Sequence, residues 1–153
     1  MRAKLLIICA TLLAASLSVH AQQQHYQFKK AVAPAALSFI SGSAWGLHEK
    51  TMHHWPEFHR RFPRANPKFW NPSESWKNKY VNWPEDQTRR RVPVFFTDAK
   101  HLLASTTQVA AFSAGACITL GDRRPWWHYV IDAGISFGAY SAGNYLTFNL
   151  LYR

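Results

Sequence analysis

Three stretches of the chain carry no charged side chain: residues 31–47, 102–121 and 133–152, which are 17, 20 and 20 residues long. With their apolar flanks they predict helices over 31–47, 98–120 and 126–151. A helix needs about 20 mostly apolar residues to cross a bilayer core. The second and third windows meet that length, whereas the first is marginal and includes Pro34, Ser38, Ser41 and Ser43. Ala, Gly, Ser and Thr stand where Leu and Ile are common in membrane helices. Small residues allow helices to approach closely in lipid, and Gly134-x-x-x-Gly138 and Ala111-x-x-x-Gly115 have the required spacing. The alternative is a soluble periplasmic helical domain, which the slightly negative mean hydropathy favours. Residues 109–121 and 131–143 lack the period-2 alternation of barrel strands, so the expected fold class is all-α.

Between the first two windows lies a polar loop, residues 48–91. It holds ten of the eighteen Lys/Arg, four of the eight His and four of the seven Trp. Pro56, Pro63, Pro67, Pro72 and Pro84 rule out one long helix there. The aromatics Trp55, Phe58, Phe62, Phe69, Trp70, Trp76, Tyr80 and Trp83 are too many for a disordered linker. Short helices and turns on a membrane surface are expected, with Arg60, Arg61, Arg64, Lys68, Lys77 and Lys79 facing lipid phosphates.

The first residues have the form of an export signal: Arg2 and Lys4, an apolar run over 5–19, and small residues before Gln22. This divides the chain into a signal peptide, 1–21, and a single helical membrane domain, 22–153. Loss of Arg2 and Lys4 takes the formal charge from +10 to +8 and leaves Cys117 as the one cysteine, so no internal disulfide is expected. Exported in this way, residue 22 lies outside and the loop lies in the cytoplasm. Ten basic residues against five acids agree with the positive-inside rule. Arg123 and Arg124, in the turn before the third window, sit on the outer side against that rule.

Two carboxylate–histidine pairs are the candidate chemistry. Glu49 and His53 are spaced i, i+4, and Asp98 and His101 i, i+3, each pair on one helical face. Together they form a set that zinc, iron or manganese accepts, with His48 and His54 in reserve, and a bound metal activates water for hydrolysis. The competing reading is structural. Thr97 caps a helix, Asp98 complements its dipole and pairs with His101, and Glu49 pairs with Lys50 or Arg60. Ser105, Ser113 and Ser136 have no His–acid pair in register, so they are not read as nucleophiles. Asp132, costly in an apolar helix, is expected to pair with His128 four residues earlier. The run Arg89-Arg90-Arg91 reads as a topology-fixing flank, and no nucleic-acid motif accompanies it.

The segment Asn66-Pro67-Lys68-Phe69-Trp70-Asn71-Pro72-Ser73-Glu74-Ser75-Trp76-Lys77-Asn78-Lys79-Tyr80, with Phe96-Thr97-Asp98-Ala99-Lys100-His101, resembles a family of uncharacterised small bacterial membrane-associated proteins. The resemblance implies a small helical membrane protein and no reaction.

The expected protein is therefore a helical bundle of two to three transmembrane helices in a bacterial inner membrane, with an irregular basic, aromatic-rich loop. Its expected partners are anionic phospholipid and a protein or second copy met through Gly134 and Gly138, without nucleic acid. No cofactor is expected. The alternative function is a membrane-embedded hydrolase using one divalent metal at Glu49, His53, Asp98 and His101.

Overall fold

The computed structural model describes residues 25–91, 93–121 and 123–150, so the signal peptide assigned to 1–21 lies outside the described residues. The protein is mostly helical, in agreement with the all-α expectation. Three long helices carry the fold: α1 (Phe28–His53), α5 (Ala99–Thr119) and α6 (Trp126–Tyr145), the last continued by a π-helical turn, Leu146–Leu150. Among the described residues five short helical pieces lie between the first two: α2 (Trp55–Arg61), α3 (Pro67–Trp70), α4 (Pro72–Ser75) and two 3-10 turns, Trp76–Lys79 and Val94–Phe96.

Helix α1 is the middle of a three-helix layer. It packs along both α5 and α6, which make far less contact with each other. The contacts set the directions. Ser41 Oγ donates to the Thr107 carbonyl at 2.9 Å, and Ala44 clusters with Ala99 and Leu103, so α1 and α5 are antiparallel. Gly42 meets Tyr140, and Gly46 meets Asn144 and Thr147, so α1 and α6 are parallel. The order is up, down, up.

The close seam lies where the sequence pattern did not place it. A Cβ on Gly42 would fall 2.0 Å from the Tyr140 carbonyl oxygen, one on Gly46 2.7 Å from that of Asn144, and one on Gly143 2.3 Å from that of Phe39. Gly42-x-x-x-Gly46 therefore lets the α1 and α6 backbones touch. Gly115, Gly134 and Gly138 have no neighbour within 4 Å where a Cβ would stand, so within this chain the two predicted small-residue pairs are not packing seams.

The loop is built from its prolines. Pro56, Pro67 and Pro72 each stand in the first turn of a short helix, where a missing N–H costs nothing. Asn66 and Asn71 cap two of them, accepting from the Lys68 and Ser73 amides at 3.0 and 3.1 Å. One element departs from the all-α expectation: β1 (Tyr80–Asn82) and β2 (Asp86–Arg90) form an antiparallel hairpin whose turn holds a cis Trp83–Pro84 bond. The second 3-10 turn, Val94–Phe96, leads into α5. The cap of that helix is Asp98, which accepts from the His101 amide at 2.8 Å; Thr97, the expected cap, instead donates its hydroxyl to the Val94 carbonyl.

The interior of the layer is small and polar, and its outside is apolar. On α6 the buried positions are His128, Asp132, Ser136 and Gly143, while Trp126, Val130 and Phe137 are exposed. On α1, Ala31, Ser38, Ser41 and Gly42 are buried and Phe28, Val32, Phe39 and Ile40 are exposed. On α5 the buried positions include Ala110 and Ala114, while Phe112 is 80% exposed. In water each such exposed side chain forgoes about 1.5–3 kcal/mol of burial.

Candidate functional site

The four metal-ligand candidates form two separate pairs. Asp98 is 1% exposed, and both its oxygens lie 2.8–2.9 Å from His101 Nδ1. A carboxylate there fixes the tautomer with the proton on Nδ1. Both residues line a pocket of about 160 Å³ with Ser75, Lys79 and Lys100. Glu49 sits more loosely, 3.7 Å from His53 and 3.4 Å from His48. Among the described residues no three His, Cys, Asp or Glu side chains converge at metal-binding spacing. The structure brings Asp98 to His101 and Glu49 to His53, and joins neither pair to the other.

Glu49 was expected to pair with Lys50 or Arg60. Lys50 turns instead to Glu57, a close ion pair that ties α2 to the end of α1, and lies 5.3 Å from the Phe148 ring centre. That ammonium, hydrogen-bonded to the Glu57 carboxylate, holds the carboxyl below its ordinary range.

The six basic candidates divide by exposure. Arg60, Arg61, Arg64 and Lys68 are exposed, while Lys77 and Lys79 are half-buried. Lys79 lies 5.1 Å from the Tyr80 ring and 5.9 Å from that of Trp76. Two aromatic groups organise this end of the molecule. Phe58 stacks on Trp70 and Trp55 and leans on Phe62, whereas Trp76, Tyr80 and Trp83 pack beside the hairpin. Phe58, Phe62 and Trp70 line an apolar groove of about 580 Å³, and Tyr80 and Trp83 a polar one of about 710 Å³ that mixes Lys68, Lys77 and Arg91 with Glu74 and Glu85.

At the opposite end a buried charge network appears that sequence reasoning had not assembled. Asp132 is 0% exposed and His128 3%. The expected partner, His128, meets the Tyr26 and Trp127 rings edge-on. The Asp132 oxygens go elsewhere: Oδ1 accepts from the Tyr26 hydroxyl at 2.5 Å and Oδ2 from Arg124 Nη1 at 2.7 Å. Arg124 also donates Nη2 to the Ile118 carbonyl at 3.0 Å, near the C-terminal end of α5, and its guanidinium lies 4.9 Å from the Tyr129 ring. One residue thereby joins α5 to α6, and Tyr26 brings in the chain just before α1. The sequence signal was the cost of Asp132 in an apolar helix, which pointed to a local partner, His128, whereas Tyr26 lies 106 residues away.

Tyr26 reports on this network. Partial burial, then the hydrogen bond to Asp132 and the charge of that carboxylate, push its pKa up from about 10 to about 12, against the pull of Arg124. The fold favours the neutral phenol, so this contribution is complete below pH 10 and is lost as pH rises from 10 to 12. An alkaline titration followed by tyrosinate absorbance should show late ionisation of Tyr26, read as the part of the late absorbance that Tyr26→Phe removes. Ionisation of Tyr26 together with the exposed tyrosines would show that the bond to Asp132 does not form.

Comparison with protein families, with curated proteins and with solved structures found no match.

Proposed function

We propose that the chain is a small integral membrane protein of three crossing helices with a structural or interaction role, resident in a bacterial inner membrane. The observation that carries this reading is the inverted layer. Buried positions on α1 and α6 include Ser, Gly, Asp and His, those on α5 are mostly Ala, and Phe, Val, Ile and Trp face outward. A water-soluble helical domain buries the second set. In lipid the outward apolar surface is at no disadvantage, and helix contact depends on small residues and internal hydrogen bonds.

Among the described residues one helix, Ala99–Thr119, is long and apolar enough to cross a membrane by itself, and 17% of its apolar window is buried. Helix α1 carries Lys29, Lys30, Glu49 and Lys50 towards its ends and α6 carries the buried Asp132, which suits these two to insertion as partners packed on one another. The loop and hairpin gather at one end of the layer with ten basic residues against five acids, which favours the cytoplasmic face and anionic headgroups. At the other end Arg124 is paired with Asp132, so it adds little free positive charge there.

A topology reporter fused after Lys79 should report the cytoplasm and one after Asp122 the outside, with the protein retained in alkali-washed membranes. Both reporters outside, or release of the protein by alkali, would sink the reading in favour of a soluble periplasmic domain, and a reporter after Lys79 found outside with one after Asp122 inside would overturn the orientation.

A further inference from the structure

The apolar groove at the basic end has the chemistry of an amphiphile site. Its volume, about 580 Å³, lies within the roughly 300–1,000 Å³ of small-molecule sites. Leu47, Phe58, Phe62 and Trp70 supply its apolar wall. Leu47 and Trp70 also pack against the Ala44, Ala99 and Leu103 cluster, so the wall continues into the helix layer. The only charged residues lining it are Arg61 and Arg64. Both are exposed, and neither guanidinium makes an ion pair or hydrogen bond among the described residues.

We propose that this groove holds an acyl chain of one anionic phospholipid, with the phosphate between Arg61 and Arg64. Guanidinium groups match phosphate through paired N–H donors, and no carboxylate lines the groove to compete. A free phosphate would leave the apolar wall unused, and a zwitterionic lipid would bring a cation to the two arginines. The neighbouring polar groove is less suited to an anion, because Glu74 and Glu85 offset its cations. The proposal rests on the membrane reading for the source of the lipid, and identifies one bound molecule where that reading needs only a surface.

The test uses the full chain purified in neutral detergent. Native mass spectrometry would count retained lipid, with titrations of phosphatidylglycerol, phosphatidylcholine and inorganic phosphate. One phosphatidylglycerol should be retained. Arg61→Gln with Arg64→Gln should weaken it roughly thirtyfold, the combined effect of two basic residues at an anionic headgroup. Ala65→Trp should fill the groove without changing charge and abolish retention of phosphatidylglycerol, with circular dichroism confirming the fold. Phosphatidylglycerol held equally well by Ala65→Trp, or displaced by inorganic phosphate at equal concentration, would overturn the proposal. Alkali extraction is read separately. A protein that is extracted yet still binds the lipid in the groove retires the membrane reading alone, and a membrane-retained protein with no groove-dependent lipid retires the site alone.

Discussion

Gly42→Ala should destabilise the protein by about 3 kcal/mol or more, at the upper end of what overpacking costs. The new methyl carbon would stand 2.0 Å from the Tyr140 carbonyl oxygen and 2.7 Å from its carbon, both backbone atoms of a long helix. Neither has a rotamer to turn away, so α1 and α6 must separate until the contact is ordinary. A gap of about 0.5–1 Å forfeits a quarter to a half of the dispersion energy of every atom pair across a seam. The loss would extend to Gly46 and Gly143, which hold the same two backbones together. Gly138→Ala provides the contrast. Nothing lies within 4 Å of its Cβ position, so relief of a helical glycine should stabilise by about 0.5–1 kcal/mol. Thermal unfolding of both variants in one detergent decides the matter. Equal midpoints would show that the α1–α6 seam is not the close contact described. A change in particle size with Gly138→Leu would show that this open face meets a second copy.

Removing one side of the buried ion pair should cost about 3–5 kcal/mol, because the remaining charge is left without a partner. Asp132 and Arg124 have side chains 0% and 9% exposed and bond at 2.7 Å. Asp132→Leu strands a guanidinium beside the Ile118 carbonyl, and Arg124→Met strands a carboxylate that retains only Tyr26. The double variant should recover much of either loss, since two apolar side chains in that place need no partner. Arg124→Lys tests geometry apart from charge. One ammonium on a flexible stem is a poor substitute for a fork that reaches Asp132 and Ile118 together, so it should restore only part of the stability. Additive losses in the double variant, read from unfolding midpoints, would mean that the two residues do not act on each other.

The two ends of the helix layer differ in what their polar residues do. The Tyr26–Asp132–Arg124 end is closed, each group satisfied by another, and its role is to hold three helices at one end. At the other end Arg60, Arg61, Arg64 and Lys68 remain exposed around aromatic walls. The Asp98–His101 pair belongs to the helix start: the same carboxylate that caps α5 also fixes the imidazole.

Much of the architecture was legible in the chain because it depends on local properties. Charge-free windows predict helices wherever side chains cannot be solvated, and all three appear. Prolines at intervals of a few residues break a loop into short helices, since each can stand only in a first turn. Asp98 and His101 share a face because i, i+3 spacing on any helix brings them together. The hairpin at Tyr80–Arg90 was not legible, since its strands show no alternation of apolar and polar residues.

What the chain could not show is which side of each helix turns inward. Gly42 and Gly138 are alike as residues in small-residue helices, and only the position of Tyr140 makes one a seam and leaves the other open. Asp132 has a local histidine available and takes Tyr26 from the far end of the chain instead, because folding places α1 and α6 parallel. Burial, pairing and close approach are properties of two surfaces at once, whereas periodicity and charge describe one. Charge-free windows and prolines were enough to show long helices around a basic aromatic loop. Only the packing of one helix on another turned the small and polar sides of α1 and α6 inward and left Phe, Val, Ile and Trp facing out.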